Sequence, residues 1–149
     1  MKPLLAICLG NPLMGDEGIG WHLAGLLAAD PDVAAHAEVV WGGTDLLRFA
    51  GELEGRERIV VIDALAGDSP PGSVWAFRNG LAGLDDRQVH AHHLSAVEAI
   101  RLLQLTSPVP FTFIGISIAS ANAGPALSPA LAAQMPAILK RLRGDLYLA

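Results

Sequence analysis

Asp16, Glu17 and Asp63, with His90, His92 and His93, are the residues of this chain whose types and spacing suit chemistry. Asp16 and Glu17 belong to the stretch Leu9-Gly10-Asn11-Pro12-Leu13-Met14-Gly15-Asp16-Glu17-Gly18-Ile19-Gly20, between an apolar run and an apolar-periodic one. That order reads as strand, glycine-rich loop and helix. Gly10 and Gly15 have the G-x-x-x-x-G spacing of a phosphate loop, but Asp16 and Glu17 stand where that motif needs Lys and Ser/Thr. Backbone N–H groups at a helix start attract a phosphate, and two carboxylates beside them repel it. The loop has the shape of an anion site and the charge of a cation site, which points to a metal. A dinucleotide loop is disfavoured, because G-x-G-x-x-G is missing.

Each residue also has a plainer reading. Asp16 is a good N-cap, and Glu17 in a first helical turn complements the helix dipole. An Asp that ends a central strand often only accepts hydrogen bonds from the next loop's amides, and clustered histidines on a polar loop are often surface residues. Position argues for more. In an open α/β sheet, ligands bind beyond the carboxyl ends of the strands. Glu17 follows the first strand by one loop, Asp63 ends the third, and the histidines stand at the start of a helix. If the first and third strands are neighbours, the two carboxylates face one crevice. A Glu, an Asp and a His suit a divalent transition metal, with imidazole favouring zinc, nickel or iron over magnesium or calcium. There is no G-x-S-x-G elbow and no H-E-x-x-H, and Ser95 near His92 has no triad context.

The elements that must position these residues follow from periodicity. Leu4–Leu9 is a buried strand, and a helix runs from about Glu17 to Ala29, ended by Asp30-Pro31. Glu38–Trp41 is a strand, and Thr44 can cap a helix over Asp45–Ala50. Ile59–Ile62 is β-branched throughout and belongs at the sheet centre, ending at Asp63. Ser73–Arg78 reads as a strand with no room for a crossover helix before it, so it is expected to be antiparallel. Gly80–Ala91 reads as an irregular, mobile stretch, His92–Leu105 as a helix and Phe111–Ile118 as the last strand. Ser128-Pro129 is a strong helix start, and Pro136 within the final helix should kink it or shift its true start.

Composition bounds the function. The chain has 149 residues, 52% hydrophobic and 17% charged, which predicts one densely buried α/β domain over residues 1–149. The net charge of −5 argues against a nucleic-acid partner. Cys8 is the only cysteine, which excludes an internal disulfide and any multi-cysteine zinc site. The uncharged region between Arg101 and Lys140 is broken by prolines and polar residues, so no membrane span of ~20 apolar residues forms there. The N-terminal apolar run is too short for a signal peptide, and the protein reads as cytoplasmic.

Several blocks in order resemble the nickel-iron hydrogenase maturation endopeptidases. They are Gly10-Asn11 with Asp16-Glu17-Gly18-Ile19-Gly20, Gly42-Gly43-Thr44, Ile62-Asp63-Ala64, Pro71-Gly72, His92 before Leu94, Gly115-Ile116 and Leu127-Ser128-Pro129. The resemblance implies a phosphorylase/hydrolase-like three-layer α/β/α sandwich with a five-stranded mixed sheet, one strand antiparallel. It implies an aspartyl endopeptidase-like activity that removes a C-terminal extension from the hydrogenase large-subunit precursor after nickel insertion. The family's metal-contacting positions fall on Glu17, Asp63 and His92, with nickel brought by the precursor and the protease acting as a monomer. Trp41 departs from the pattern, standing where these proteins often carry an acidic residue. His90 and His93 flank the expected ligand. A non-enzymatic nickel-binding or chaperone module would use the same site without cleavage. A phosphate-loop-like nucleotide enzyme is disfavoured by Asp16 and Glu17.

Overall fold

The computed structural model describes residues 1–78, 94–119 and 124–148. Its strands are β1 (Leu4–Cys8), β2 (Ala37–Trp41), β3 (Arg58–Leu65), β4 (Val74–Phe77) and β5 (Phe111–Ser117). Its helices are α1 (Ile19–Ala28), α2 (Pro31–Ala34), α3 (Leu94–Thr106), α4 (Pro129–Ala132) and α5 (Met135–Leu148). The strands form one five-stranded sheet in the order β2-β1-β3-β5-β4, parallel except for β4, which pairs antiparallel with β5 at the edge. The antiparallel edge strand and the α/β fold expected from the sequence are both present.

The inner strands are continuous apolar runs because helices cover both their faces. Alternate residues of each strand feed two cores. Cys8, Val60, Ile62, Ile114 and Ile116 pack with Ile19, Leu23 and Leu27 of α1 and Ile138, Leu142 and Leu146 of α5. Leu5, Ile7, Val61 and Phe113 pack with Val97, Ile100 and Leu103 of α3 and with Leu46, Phe49 and Leu53. No described helix is long and apolar enough to cross a membrane.

Three local expectations need correction. The helix over Asp45–Ala50 is a 3-10 run at Leu46–Glu52. Asp45, not Thr44, caps it, because Asp45 is the residue in extended geometry and its carboxylate accepts from the Leu47 amide at 3.2 Å. The helix expected from Glu17 begins as a 3-10 turn, Gly15–Gly18, before α1. As the sequence allowed, Ser128-Pro129 starts a helix, the one-turn α4, and Pro136 shifts the true start of the final helix, α5, to Met135, where a missing N–H in the first turn costs nothing. Asp63 does not end β3, since Ala64 and Leu65 continue the ladder with β5. Gly80–Ala91 lies outside the described residues.

The topology matters more than these boundaries. From β1 the chain crosses outward to β2, and from β3 it crosses the other way toward β5. The loops leaving β1 and β3 therefore diverge, and a crevice opens between adjacent strands at their carboxyl ends.

Candidate active site

Glu17 stands on one side of that switch point and Asp63 on the other. The loop carrying Glu17 is held by its backbone. The Leu9 amide donates to the Ile62 carbonyl at 2.8 Å, and the Gly10 amide donates to the Gly43 carbonyl at 2.8 Å. Asn11 folds the turn by accepting from the Leu13 amide at 3.0 Å. Gly10 has φ 140°, and a Cβ there would collide with the Glu17 carbonyl oxygen. A Cβ on Gly20 would collide with the Leu9 carbonyl oxygen, so α1 starts with its backbone against the end of β1. These two glycines let strand, loop and helix approach more closely than any side chain would permit.

Asp16 and Glu17 part company in this geometry. Glu17 is partly exposed at the carboxyl edge of the sheet, and the 3-10 turn that carries it packs on β3. Asp16 is 1% exposed. Its carboxylate accepts from the Ser128 amide at 2.7 Å, the Ser128 hydroxyl at 2.8 Å and the Ala119 amide at 3.1 Å. Asp16 is therefore not the cap of its own helix. It is a buried strut that ties the glycine loop to the segments following β5. A short bridge between Met14 and Gly124 reinforces the tie, with the Gly15 amide donating to Gly124 at 2.8 Å and the Gly124 amide donating to Leu13 at 2.7 Å. The Ser128 hydroxyl also accepts from the Leu131 amide at 3.3 Å, so it caps α4 as the sequence suggested while donating to Asp16. Nothing local could have revealed the pairing, because the partners lie 112 residues apart.

Asp63 is 8% exposed and lies in register with Gly115 of β5. Its Oδ1 accepts from the Ala64 amide at 2.8 Å. Strand alternation puts it on the same face as Val61 and Leu65, the face covered by α3. Its charge is felt through the sheet. Burial, and then the nearby Asp63 carboxylate, push the Cys8 thiol up to about 12, which makes Cys8 an inert core residue.

The third candidate, His92, lies outside the described residues, as do His90 and His93. The described part of α3 has a definite direction relative to the sheet. The last turn of α3 leads through Ser107–Pro110 into the start of β5, and the Ile59 amide donates to Pro110 beside it at 3.0 Å. α3 therefore runs from the carboxyl edge of the sheet to the amino edge, and its first residues belong to the edge of Glu17 and Asp63. Among the described residues, no three His, Cys, Asp or Glu side chains converge as a metal site. A carboxylate in the turn after β1 and one on the neighbouring β3 are donors of the type that suits a divalent cation.

Comparison with known proteins agrees with this architecture. Residues 21–144 match the family model described as hydrogenase maturation protease. The chain is similar to the [NiFe] hydrogenase maturation protease HybD of Thermococcus kodakarensis, at 29% identity and a TM-score of 0.80. The match covers 98% of this chain and 99% of that one. It shares its fold with the hydrogenase maturating endopeptidase HybD of Escherichia coli, at 24% identity and a TM-score of 0.79, over 99% of this chain and 93% of that one. Its sequence is 23% identical to the hydrogenase 2 maturation protease of Escherichia coli over 143 residues, 93% of this chain and 87% of that protein.

Proposed function

The chain belongs to the hydrogenase maturation protease family, and we propose that it removes the C-terminal extension of a [NiFe] hydrogenase large-subunit precursor after nickel insertion. Nickel arrives inside that substrate rather than as a resident cofactor, and Glu17, Asp63 and His92 are the residues proposed to meet it. The protease is proposed to act as a cytoplasmic monomer. The observation that supports the reading is that β1, whose following loop leads to Glu17, pairs directly with β3, which carries Asp63, at the topological switch point where an open α/β sheet binds its ligands.

Bound there, nickel supplies a Lewis acid that marks the loaded precursor and polarises a carbonyl or a water. The chain's own part is positional. Glu17, which is partly exposed, and Asp63, whose Oδ1 accepts from the Ala64 amide, would each offer a carboxylate oxygen. Two carboxylates and one imidazole leave coordination positions open, as substrate-bridging sites do and closed structural sites do not.

The test is incubation with nickel-loaded precursor, followed by mass spectrometry of its C-terminus. Glu17→Gln and Asp63→Asn keep side-chain shape and remove one charge each, so both are expected to fold by thermal melt and to leave the precursor uncut. His92→Ala is expected to weaken nickel binding in calorimetry far more than His90→Ala or His93→Ala. Parental cleavage rates in both carboxylate variants refute the site. A parent that binds loaded precursor without ever shortening it refutes the protease reading in favour of a chaperone.

A further inference from the structure

Large apolar side chains left in water ask for a partner, and tryptophans do so most of all. In this chain Trp21 is 47% exposed, Leu26 49% and Trp41 40%. All three line one open groove of about 730 Å³ with His22, Val39, Leu127 and Met135, and among the described residues no Asp, Glu, Lys or Arg lines it.

The groove is built from the segments that hold the candidate site. Trp41 ends β2 and donates its indole N–H to the Gly10 carbonyl of the glycine loop at 2.9 Å. Trp21 lies on α1 four residues beyond Glu17. Leu127 precedes Ser128, which the buried Asp16 carboxylate grips. The apolar floor thus continues directly from the loop that presents Glu17. A protease must hold its protein substrate at its site, so a surface joined to that site by shared hydrogen bonds is part of the face it offers.

We infer that this groove is a docking pocket for apolar anchor side chains on the surface of the precursor, separate from the extension that is cut; this rests on the function proposed above. The absence of charged lining fits an uncharged apolar anchor rather than an acidic or basic segment. The size points the same way. Nine of the described residues line the groove, well short of the ~20–30 residues a side that a stable dimer uses. It suits one hot spot within a larger interface, where buried aromatics supply most of the affinity.

The experiment compares Leu26→Glu and Trp21→Ala with Leu102→Glu, a control at a 52% exposed leucine on α3. Each is assayed for cleavage of nickel-loaded precursor and, separately, for precursor binding by calorimetry. The two groove variants are expected to raise KM and Kd about tenfold or more, with kcat at saturation and the melting temperature unchanged. Leu102→Glu is expected to leave all of these unchanged. Should Leu26→Glu melt lower than the parent, Leu26→Ala carries the same comparison without a charge. Unaltered KM and Kd in the groove variants, or an equal loss in Leu102→Glu, overturns the inference. So does a parental dimer in sedimentation that Leu26→Glu dissociates while precursor affinity stays the same. If the parent never cleaves yet loses precursor binding only with the groove variants, the proposed proteolysis fails and the docking pocket stands.

Discussion

Asp16→Ala removes the one group that gathers the Ser128 amide, the Ser128 hydroxyl and the Ala119 amide. Hydrogen bonds to a charged acceptor contribute about 1.5–3 kcal/mol each, and a buried donor left without a partner costs about 1–3 kcal/mol. The three bonds share one carboxylate and do not add. With the two amides each left without an acceptor and the hydroxyl bond also lost, a total of about 3–5 kcal/mol is expected. For a domain of this length, that lowers the melting temperature by about 6–20 °C. Ser128→Ala removes one of those bonds and the cap on Leu131, for about 1–2 kcal/mol. Because the two residues share an interaction, the double variant should cost less than the sum of the singles, by about 1–2 kcal/mol. Urea denaturation of the parent, both singles and the double variant completes the cycle. An Asp16→Ala melting temperature within about 3 °C of the parent, or strictly additive penalties, refutes the strut. Either result returns Asp16 to being an ordinary acidic residue at a helix start.

Two further outcomes follow from the same geometry. Cys8, with its thiol pushed up to about 12, should resist alkylation in the native protein at pH 8.5 and label at the rate of unfolding, as a stopped labelling series reads. Its sign is fixed. The unfolded thiol ionises above its ordinary value of 9.0 while the native one stays protonated, so this group's contribution is complete below pH 9 and lost as pH rises toward 12. Rapid native labelling at pH 8.5 contradicts the burial. Gly20→Ala drives a Cβ into the Leu9 carbonyl and is expected to cost about 3 kcal/mol or more, whereas Gly144→Ala in α5, with open space at its Cβ, should stabilise by about 0.5–1 kcal/mol. Circular-dichroism melts decide, and equal effects at both positions refute the close approach of α1 to β1.

The residues that reach the candidate site from their own strand or helix were legible in the chain itself. Glu17 after a glycine loop and Asp63 at the end of a β-branched run both follow from hydrophobic periodicity, since a strand buried on both faces must read as a continuous apolar segment. The antiparallel edge strand was legible for a similar reason. A connection too short for a crossover helix leaves no parallel alternative. What tertiary structure alone decided was which strands are neighbours and which partner each buried polar group takes. That β1 and β3 lie side by side, with crossovers departing in opposite directions, set the loop after β1 beside the strand that carries Asp63. Asp16 and Glu17 are adjacent in the chain and look interchangeable there. Burial separates them, because a carboxylate removed from water must be met by donors. For Asp16 those donors come from Ala119 and Ser128, beyond any local pattern. Trp41 is the same lesson on the surface. As a residue type it announces only a strand end, and its bond to Gly10 joins an apolar groove to the loop that carries Glu17.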